Sequence, residues 1–302
     1  MKLTDLFARN TYVLTSEVGP VKGCVRDTAD GRSARFLEEA DLVKKHVHAI
    51  NVTDSQSARM RLGSLAGSVK LKERGIEPIY QITCRDSNRI ALQSELLSAC
   101  SLGIDNVLVV TGDYTTLGDH EGAKPVFDLD SVQLIRVATS MRNGFDMVGN
   151  ELSAPPDFSV GAVVNPNFEP LELQLMKMEK KVAAGADFFQ TQPVYDPDKF
   201  EAFIRQVEGF GVPVQMGLVL IKSAKMAAYM NGHVSGISVP ESWIRSFEGL
   251  PETDAKEKCV EMTVELVKDV GPMCQGIHFM PIGWSDLVPQ IIREGLDGIS
   301  SL

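Results

Sequence analysis

Two apolar runs and the segment that joins them decide the fold: EPIYQITC at 77–84, NRIALQSELLSACSLG at 88–103 and NVLVVTG at 106–112. The two outer runs are almost continuously apolar, as parallel strands buried on both faces are. The middle segment places its apolar residues on one stripe at helical spacing. This stretch therefore predicts a strand, a helix and a second strand, the repeating unit of an α/β fold.

The same alternation continues along the whole chain. Six further runs have strand character: YVLTSEV (12–18), HAINVTD (48–54), FSVGAVVN (158–165), FFQTQPVY (188–195), PVQMGLVL (213–220) and GIHFMP (276–281). Eight such runs separated by helical segments favour a closed (β/α)8 TIM barrel over an open doubly wound sheet. The long interval between the last two runs leaves room for another short strand at 236–239. Because no linker or fixed-period repeat divides the 302 residues, we expect one barrel domain over 1–302.

Charge and hydropathy narrow the class of protein. The chain has 30 Lys plus Arg against 40 Asp plus Glu, a net charge of −10, so we expect no nucleic-acid partner. No run approaches the roughly 18 apolar residues of a membrane span, and the first 20 residues do not resemble a secretory signal. We therefore predict a cytoplasmic protein without a membrane span. The five cysteines form no C-x-x-C pair and the histidines lack metal-ligand spacing, so we predict no metal site.

Sequence motifs for several common chemistries are absent. The chain contains no P-loop, no dinucleotide fingerprint after a strand and no G-x-S-x-G elbow. Polar residues and a glycine instead gather where the strand-like runs end: Glu17, Asn51, Thr53, Asp54, Gln81, Thr83, Thr111, Gly112, Asp113, Asn165, Gln190, Gln192 and His278. In a TIM barrel the chemistry sits at these strand ends. The set therefore predicts a polar pocket at the mouth of the barrel.

Two carboxylates are the natural acid/base candidates in that pocket. Glu17 ends the first run and Asp113 follows the fourth, so they should face each other across the mouth. Either one alone is equally well explained as a helix cap or a solvated carboxylate. Lys222, just after the seventh run, offers a Schiff-base lyase chemistry as an alternative, although a lysine that opens a helix is more often solvated.

Four runs, in this order and spacing, resemble the methylenetetrahydrofolate reductase family: YQITCRD (80–86), NVLVVTGD (106–113), KKVAAGADFFQTQPVYD (180–196) and GIHFMPIGW (276–284). The likeness extends from Glu17 to VPQII at 288–292. It implies a (β/α)8 barrel with non-covalent FAD that reduces the methylene group of 5,10-methylenetetrahydrofolate to methyl.

The resemblance also implies roles for individual residues. Glu17 matches the general acid that protonates N10 of the folate, and Asp113 matches the aspartate whose charge favours the cationic iminium form. Gln192 matches a glutamine used in turn by the nicotinamide donor and the folate. The implied cofactor contacts are Thr53, Gln81, Thr111, Gly112, Asp113, Asn165 and Lys181, of which Lys181 is a phosphate partner. The implied substrate contacts are Gln192, Met226, His278 and Trp284.

Several positions depart from the family pattern. Many members have F-F-P-P after the catalytic Glu, where this chain reads SEVGPVKG at 16–23. Gln81 and Thr111 stand where many members have His and Arg. Trp284 stands where they have an arginine that helps to hold the folate, and Met226 replaces a glutamine. These changes affect folate contacts more than flavin contacts.

The overall pattern resembles the short reductases of anaerobic C1 pathways. As partners it implies tetrahydrofolate, NAD(P)H or another electron donor, and a homo-oligomer, with room for a partner subunit. Two other interpretations stay open: a reductase of the same fold that takes hydride directly from a nicotinamide, and a non-catalytic subunit of a C1 complex.

Overall fold

Eight parallel strands close into a barrel in chain order, each paired with the next and the last paired with the first. The computed structural model describes residues 1–25, 34–234 and 236–297. The strands are β1 Val13–Val18, β2 Ala49–Val52, β3 Pro78–Thr83, β4 Asn106–Val110, β5 Ser159–Val164, β6 Phe188–Pro193, β7 Val214–Val219 and β8 Gly276–Met280. All eight predicted strands are present, so the (β/α)8 prediction is confirmed.

Helices surround the barrel, and four of the described helices begin at a residue whose side chain caps the helix. The helices are α1 Leu3–Ala8, α2 Arg35–Val43, α3 Ser64–Glu73, α4 Arg89–Ser101, α5 Ser131–Arg142, α6 Leu171–Ala184, α7 Pro197–Val207, α8 Ala224–His233, α9 Glu241–Ser246, α10 Glu252–Val270 and α11 Val288–Gly295. Asp130 and Gln133 form a capping box at α5, and Asp196 with Pro197 starts α7. Within the described residues, no helix is long and apolar enough to cross a bilayer.

The additional strand considered at 236–239 is not formed. The interval between β7 and β8 contains α8, α9 and α10 instead. The Asn231 side chain accepts a hydrogen bond from the Val239 N–H (2.7 Å) and donates one to the Val239 carbonyl (2.9 Å). The Asn231 side chain thus binds both the N–H and the carbonyl of Val239, which a neighbouring strand would need for pairing. Gly236 in addition has a φ of +87°, far from a strand conformation.

The amino end of the barrel interior is sealed by apolar side chains. Inward-facing residues from five strands form this cluster together with Leu3 of α1: Val13, Ala49, Ile79, Leu108 and Phe188. Phe7 of α1 packs on Phe188 with ring centroids 5.8 Å apart. Gly161 makes room for that ring, since a Cβ there would lie 2.4 Å from Phe188. Any ligand pocket inside the barrel must therefore open at the carboxyl end of the strands.

Candidate active site

A buried polar layer lies directly above the apolar seal. Asn51 donates to Gln190 at 2.7 Å, and Gln190 donates to Gln215 at 3.1 Å. Both Gln190 and Gln215 also point an amide nitrogen at the Thr15 hydroxyl, each at 3.3 Å. All four side chains are 0–2% exposed. Because buried polar groups need partners, this network fixes four side chains of β1, β2, β6 and β7 in one arrangement.

The polar layer continues upward to His278 of β8. Its Nδ1 lies 3.0 Å from the Thr15 hydroxyl. That hydroxyl accepts hydrogen bonds from Gln190 and Gln215, so it donates its own hydrogen bond to Nδ1 of His278. Nδ1 is then an acceptor, and the ring proton of His278 lies on Nε2. The Nε2 atom faces Oε2 of Glu17 at 3.7 Å. A buried hydroxyl therefore selects the histidine tautomer that presents an N–H to the predicted acid.

Glu17 stands at the top of this column. Gln81 of β3 donates from Nε2 to Oε2 of Glu17 at 3.0 Å. The Glu17 side chain is 15% exposed, so it is accessible from the barrel mouth. The structure thus brings three of the predicted site residues together: Glu17, Gln81 and His278.

Asp113 belongs to a second group at the mouth, formed by the loops after β2, β3 and β4. It is exposed, and its carboxylate accepts a hydrogen bond from the Ser57 N–H at 2.8 Å. Arg85, only 2% exposed, donates to the carbonyls of Asp113 (3.2 Å) and Ser55 (3.4 Å). The guanidinium therefore clamps two of these loops to its own and holds the Asp113 backbone in place.

Gly112 allows this clamp to form. Its φ is +88°, and a Cβ there would lie 3.1 Å from Cβ of both Arg85 and Thr83. A side chain would need both an unfavourable backbone conformation and displacement of its neighbours. Gly112 thus lets the chain turn before Asp113 while it packs closely on Arg85 and Thr83.

The predicted cofactor residues fall into different environments. Thr53, at the end of β2, is 3% exposed, and its hydroxyl has no partner among the described residues. Thr111 is exposed and donates to the Ser131 hydroxyl at 3.2 Å. The Asn165 side chain accepts a hydrogen bond from the Asn167 N–H at 3.0 Å. Thr53 is thus the predicted cofactor residue whose buried hydroxyl lacks a hydrogen-bond partner within the described part of the chain.

Lys181 of α6 is buried between its helix and the sheet. It is 6% exposed, and its ammonium donates to the Val163 carbonyl of β5 at 2.5 Å. Burial lowers its pKa to about 7. In this structure the group is engaged by backbone, and its role as a phosphate partner stays a prediction.

The predicted substrate residues other than His278 lie around the ends of β6, β7 and β8. Gln192 is half-buried in β6, and Met226 lies in the first turn of α8. Trp284 is 5% exposed, with the Nζ of Lys222 lying 5.2 Å from its ring centroid. A substrate role for these three residues stays a prediction.

Three contributors to the site were not singled out from the sequence: Thr15, Gln215 and Arg85. Thr15 and Gln215 lie in the middle of strand-like runs, where alternation along β1 and β7 would have marked them as inward-facing polar residues. Arg85 lies two residues after the end of β3, within the run YQITCRD. Its burial depends on carbonyls from two other loops, which no local pattern reveals.

Fold and site together define a (β/α)8 barrel with a cluster of hydrogen-bonded polar side chains at the carboxyl end of its strands. A family model described as "Methylenetetrahydrofolate reductase" matches residues 13–295. The chain belongs to the methylenetetrahydrofolate reductase family.

Curated relatives agree with this assignment. "Methylenetetrahydrofolate reductase 2" of Schizosaccharomyces pombe is 26% identical over 233 residues, which cover 72% of this chain and 36% of the relative. "5,10-methylenetetrahydrofolate reductase" of Salmonella typhimurium is 24% identical over 203 residues, which cover 66% of this chain and 63% of that protein. The chain thus spans about a third of the length of the yeast relative.

Solved structures share the fold. An uncharacterized protein from Clostridium thermocellum, described as binding two copies of 5-methyl-5,6,7,8-tetrahydrofolic acid, superposes with a TM-score of 0.62 at 14% identity. The likeness covers 98% of this chain and 99% of that one. At this identity it establishes the architecture alone.

Proposed function

We propose that this protein reduces 5,10-methylenetetrahydrofolate to 5-methyltetrahydrofolate, with FAD as cofactor and Glu17 as general acid. Family membership supports the reaction. The observation that carries the residue assignment is the column from Thr15 through His278 to Glu17, because it directs a carboxyl group with defined neighbours into the barrel mouth.

The two oxygens of Glu17 have different surroundings. Oε2 accepts the hydrogen bond from Gln81 and is the oxygen that faces the N–H of His278. Oε1 has no described hydrogen-bond donor and is left to carry the acidic proton. Donation of that proton to N10 of the folate opens the five-membered ring, and the resulting carboxylate is stabilised by the Gln81 amide and the His278 N–H.

The residues at β2 to β4 fit a flavin. Thr53 contributes a buried hydroxyl without a described partner, which a polar group of the cofactor would satisfy. Gly112 lets the chain after β4 pack closely on Arg85 and Thr83, since a Cβ there would lie 3.1 Å from both, and so positions the loop that carries Asp113. When bound beside Thr53 and reduced by the electron donor, the flavin would supply the hydride that converts the methylene carbon to methyl.

Asp113 would contribute through its charge. Its carboxylate is held at the mouth by the Ser57 N–H and its backbone by Arg85. A fixed negative charge favours the cationic form that the folate adopts after ring opening, and because the aspartate is already oriented, little reorganisation is needed.

Absorbance spectroscopy of the purified protein tests the proposal. We expect a flavin spectrum that is bleached by a reductant and restored by methylenetetrahydrofolate. In Glu17→Gln, the donor should still bleach the flavin, while folate reduction should fall by about 10²- to 10⁴-fold. Glu38→Gln, the same substitution at an exposed position of α2, is the matched control and should change neither half-reaction.

Other results would contradict the proposal. If Glu17→Gln leaves both half-reactions intact, Glu17 is not the acid. If the protein stays colourless with added FAD but reduces the folate with NADH or NADPH, hydride comes directly from the nicotinamide. If the protein shows neither flavin binding nor reduction, the chain is a non-catalytic subunit.

A further inference from the structure

Lys222 lies at the rim of the barrel mouth and has no role in the proposed reaction. It follows β7 and directly precedes Ser223, the N-cap of α8. Its ammonium lies over the indole of Trp284, which follows β8. The ends of β7 and β8 belong to the same face of the barrel as Glu17 and His278.

Three cations lie near Trp284 and Gly283: Lys222, Arg35 and Lys256. Two of them, Arg35 and Lys256, are neutralised by carboxylates. Arg35 of α2 donates to Glu39 at 2.8 Å, and Lys256 of α10 donates to Asp286 at 2.8 Å. Among the residues that the structure describes, none accepts a hydrogen bond or forms an ion pair with Lys222. The direct contact that is described for its ammonium is the cation–π contact with Trp284.

The surroundings leave Lys222 short of negative charge. It is half-buried, and burial together with the charge of Arg35 lowers its pKa. The carboxylates of Glu39 and Glu252 act in the opposite direction without contacting the ammonium. A ligand oxyanion would supply the missing hydrogen-bond acceptor and offset the repulsion between the cations.

The side chains of Lys222 and Arg35 both lie beside Gly283, in the loop after β8. A Cβ on Gly283 would lie 2.6 Å from Nη2 of Arg35 and 3.4 Å from Nζ of Lys222. Gly283 itself has a φ of +84°, so the loop turns sharply between the two cations. Both positive groups therefore border a single point on the rim.

The position of this point indicates which ligand would reach it. The residues that fit a flavin lie on β2 to β4, whereas Lys222 and Trp284 lie beyond β7 and β8. Glu17 and His278, on β1 and β8, place the reacting part of the folate next to the β7–β8 side. An anionic arm that extends from the folate towards this side would meet Lys222.

We propose that Lys222, seated on Trp284, is an oxyanion subsite that binds a glutamyl carboxylate of the folate. Trp284, which replaces an expected arginine, thus provides a platform for a cation supplied by the neighbouring strand. This inference rests on the proposed function. The phosphates of a nicotinamide donor share the same oxyanion chemistry, and the experiment separates the two sources.

Isothermal titration calorimetry on the wild-type protein and Lys222→Met tests the subsite with three ligands. These are 5-methyltetrahydrofolate, its analogue with a neutral amide in place of glutamate, and NADPH. We expect Lys222→Met to bind 5-methyltetrahydrofolate about tenfold more weakly, the loss of one charge-assisted contact, and to bind the amide analogue and NADPH unchanged. Lys225→Met, which removes an exposed lysine three residues away, should change none of the three.

Two outcomes overturn the assignment. Equal affinity of wild-type protein and Lys222→Met for 5-methyltetrahydrofolate removes Lys222 from the site. Weaker binding of NADPH alone assigns the subsite to the phosphates of the donor and overturns the glutamyl assignment.

A second readout keeps the subsite testable if the proposed function fails and the wild-type protein binds neither folate ligand. The chain has two tryptophans, so Trp243→Phe leaves Trp284 as the only fluorophore of its kind. In that background, the dipeptide γ-glutamylglutamate should change the Trp284 fluorescence in a saturable way, and Lys222→Met should abolish the change. An unchanged signal in the Trp243→Phe protein would overturn the subsite independently of the reaction.

Discussion

The two ends of the barrel interior differ in the polarity of their side chains. The amino end is filled by apolar side chains and closed by α1, whereas the carboxyl end carries amides, a histidine and a carboxylate linked by hydrogen bonds. The apolar end gains stability from burial that needs no specific geometry. The polar end gains little net stability from its hydrogen bonds but holds each group in one orientation. The comparison suggests that stability and chemistry are separable in this barrel.

The largest expected effect comes from the apolar end. Phe188→Ala removes the ring that α1 and Gly161 enclose, and should lower the free energy of unfolding by about 3–5 kcal/mol. Chemical denaturation measures this change. Ligand affinities should stay within about twofold of wild type at a temperature where the variant is folded.

Phe145→Ala is the matched control, because Phe145 is 42% exposed and its loss should change stability by less than about 1 kcal/mol. If Phe188→Ala instead lowers folate affinity tenfold while remaining folded, the two ends are coupled and the separation is wrong.

The next effect concerns Lys181, a charged group buried near the carboxyl end of β5. Its pKa of about 7 in the folded protein lies below the ordinary value of 10.5. Below pH 7 the ammonium is charged in both states and its burial is fully penalised. Between pH 7 and 10.5 the folded protein has released the proton while the unfolded chain still binds it, so stability rises with pH.

Comparison of Lys181→Met with wild type measures this rise. The variant lacks the titration, so the difference in its free energy of unfolding relative to wild type should shrink by about 4 kcal/mol between pH 6 and pH 10. Urea denaturation at several pH values gives the two curves. Lys180→Met, on the exposed side of the same helix, should run parallel to wild type. Parallel curves for Lys181→Met as well would mean that the buried amine is not titrating in this range.

The smallest expected effect concerns the tautomer of His278. Thr15→Val keeps the shape of the side chain but removes the hydroxyl that donates to Nδ1. The amides of Gln190 and Gln215 lose an acceptor, and His278 loses the contact that holds its proton on Nε2. We expect a stability loss of about 1–2 kcal/mol and a fall of about tenfold in folate reduction, with unchanged flavin reduction by the donor.

Thr15→Ser restores the hydroxyl and should recover most of the folate reduction. A tautomer shift in the ¹⁵N spectrum of His278 in Thr15→Val, absent in Thr15→Ser, distinguishes this role from simple loss of packing. Full activity of Thr15→Val would remove Thr15 from the column.

Much of the architecture follows from local patterns. The largely apolar runs of the sequence identify all eight strands, which span 4 to 6 residues each, because a parallel sheet covered on both faces has no solvent-exposed face that would require alternating polar residues. Polar residues at the run ends also marked Glu17, Gln81 and His278 correctly as neighbours of the mouth. Whether 236–239 forms a strand could not be decided from that stretch alone. Its backbone at Val239 is bound by the side chain of Asn231, which lies five residues before the stretch, in place of a strand partner.

The sequence by itself determined the order of the strands, the end of the barrel at which polar groups collect and the family of the chain. Only the tertiary structure decided which of those groups meet: Thr15 with His278, Arg85 with the loop of Asp113, and Lys222 with Trp284. Periodicity in a chain reports which way a side chain faces, since that depends on its own backbone. A contact between residues far apart in the chain also depends on how the closed barrel aligns its strands, and no single segment encodes that alignment.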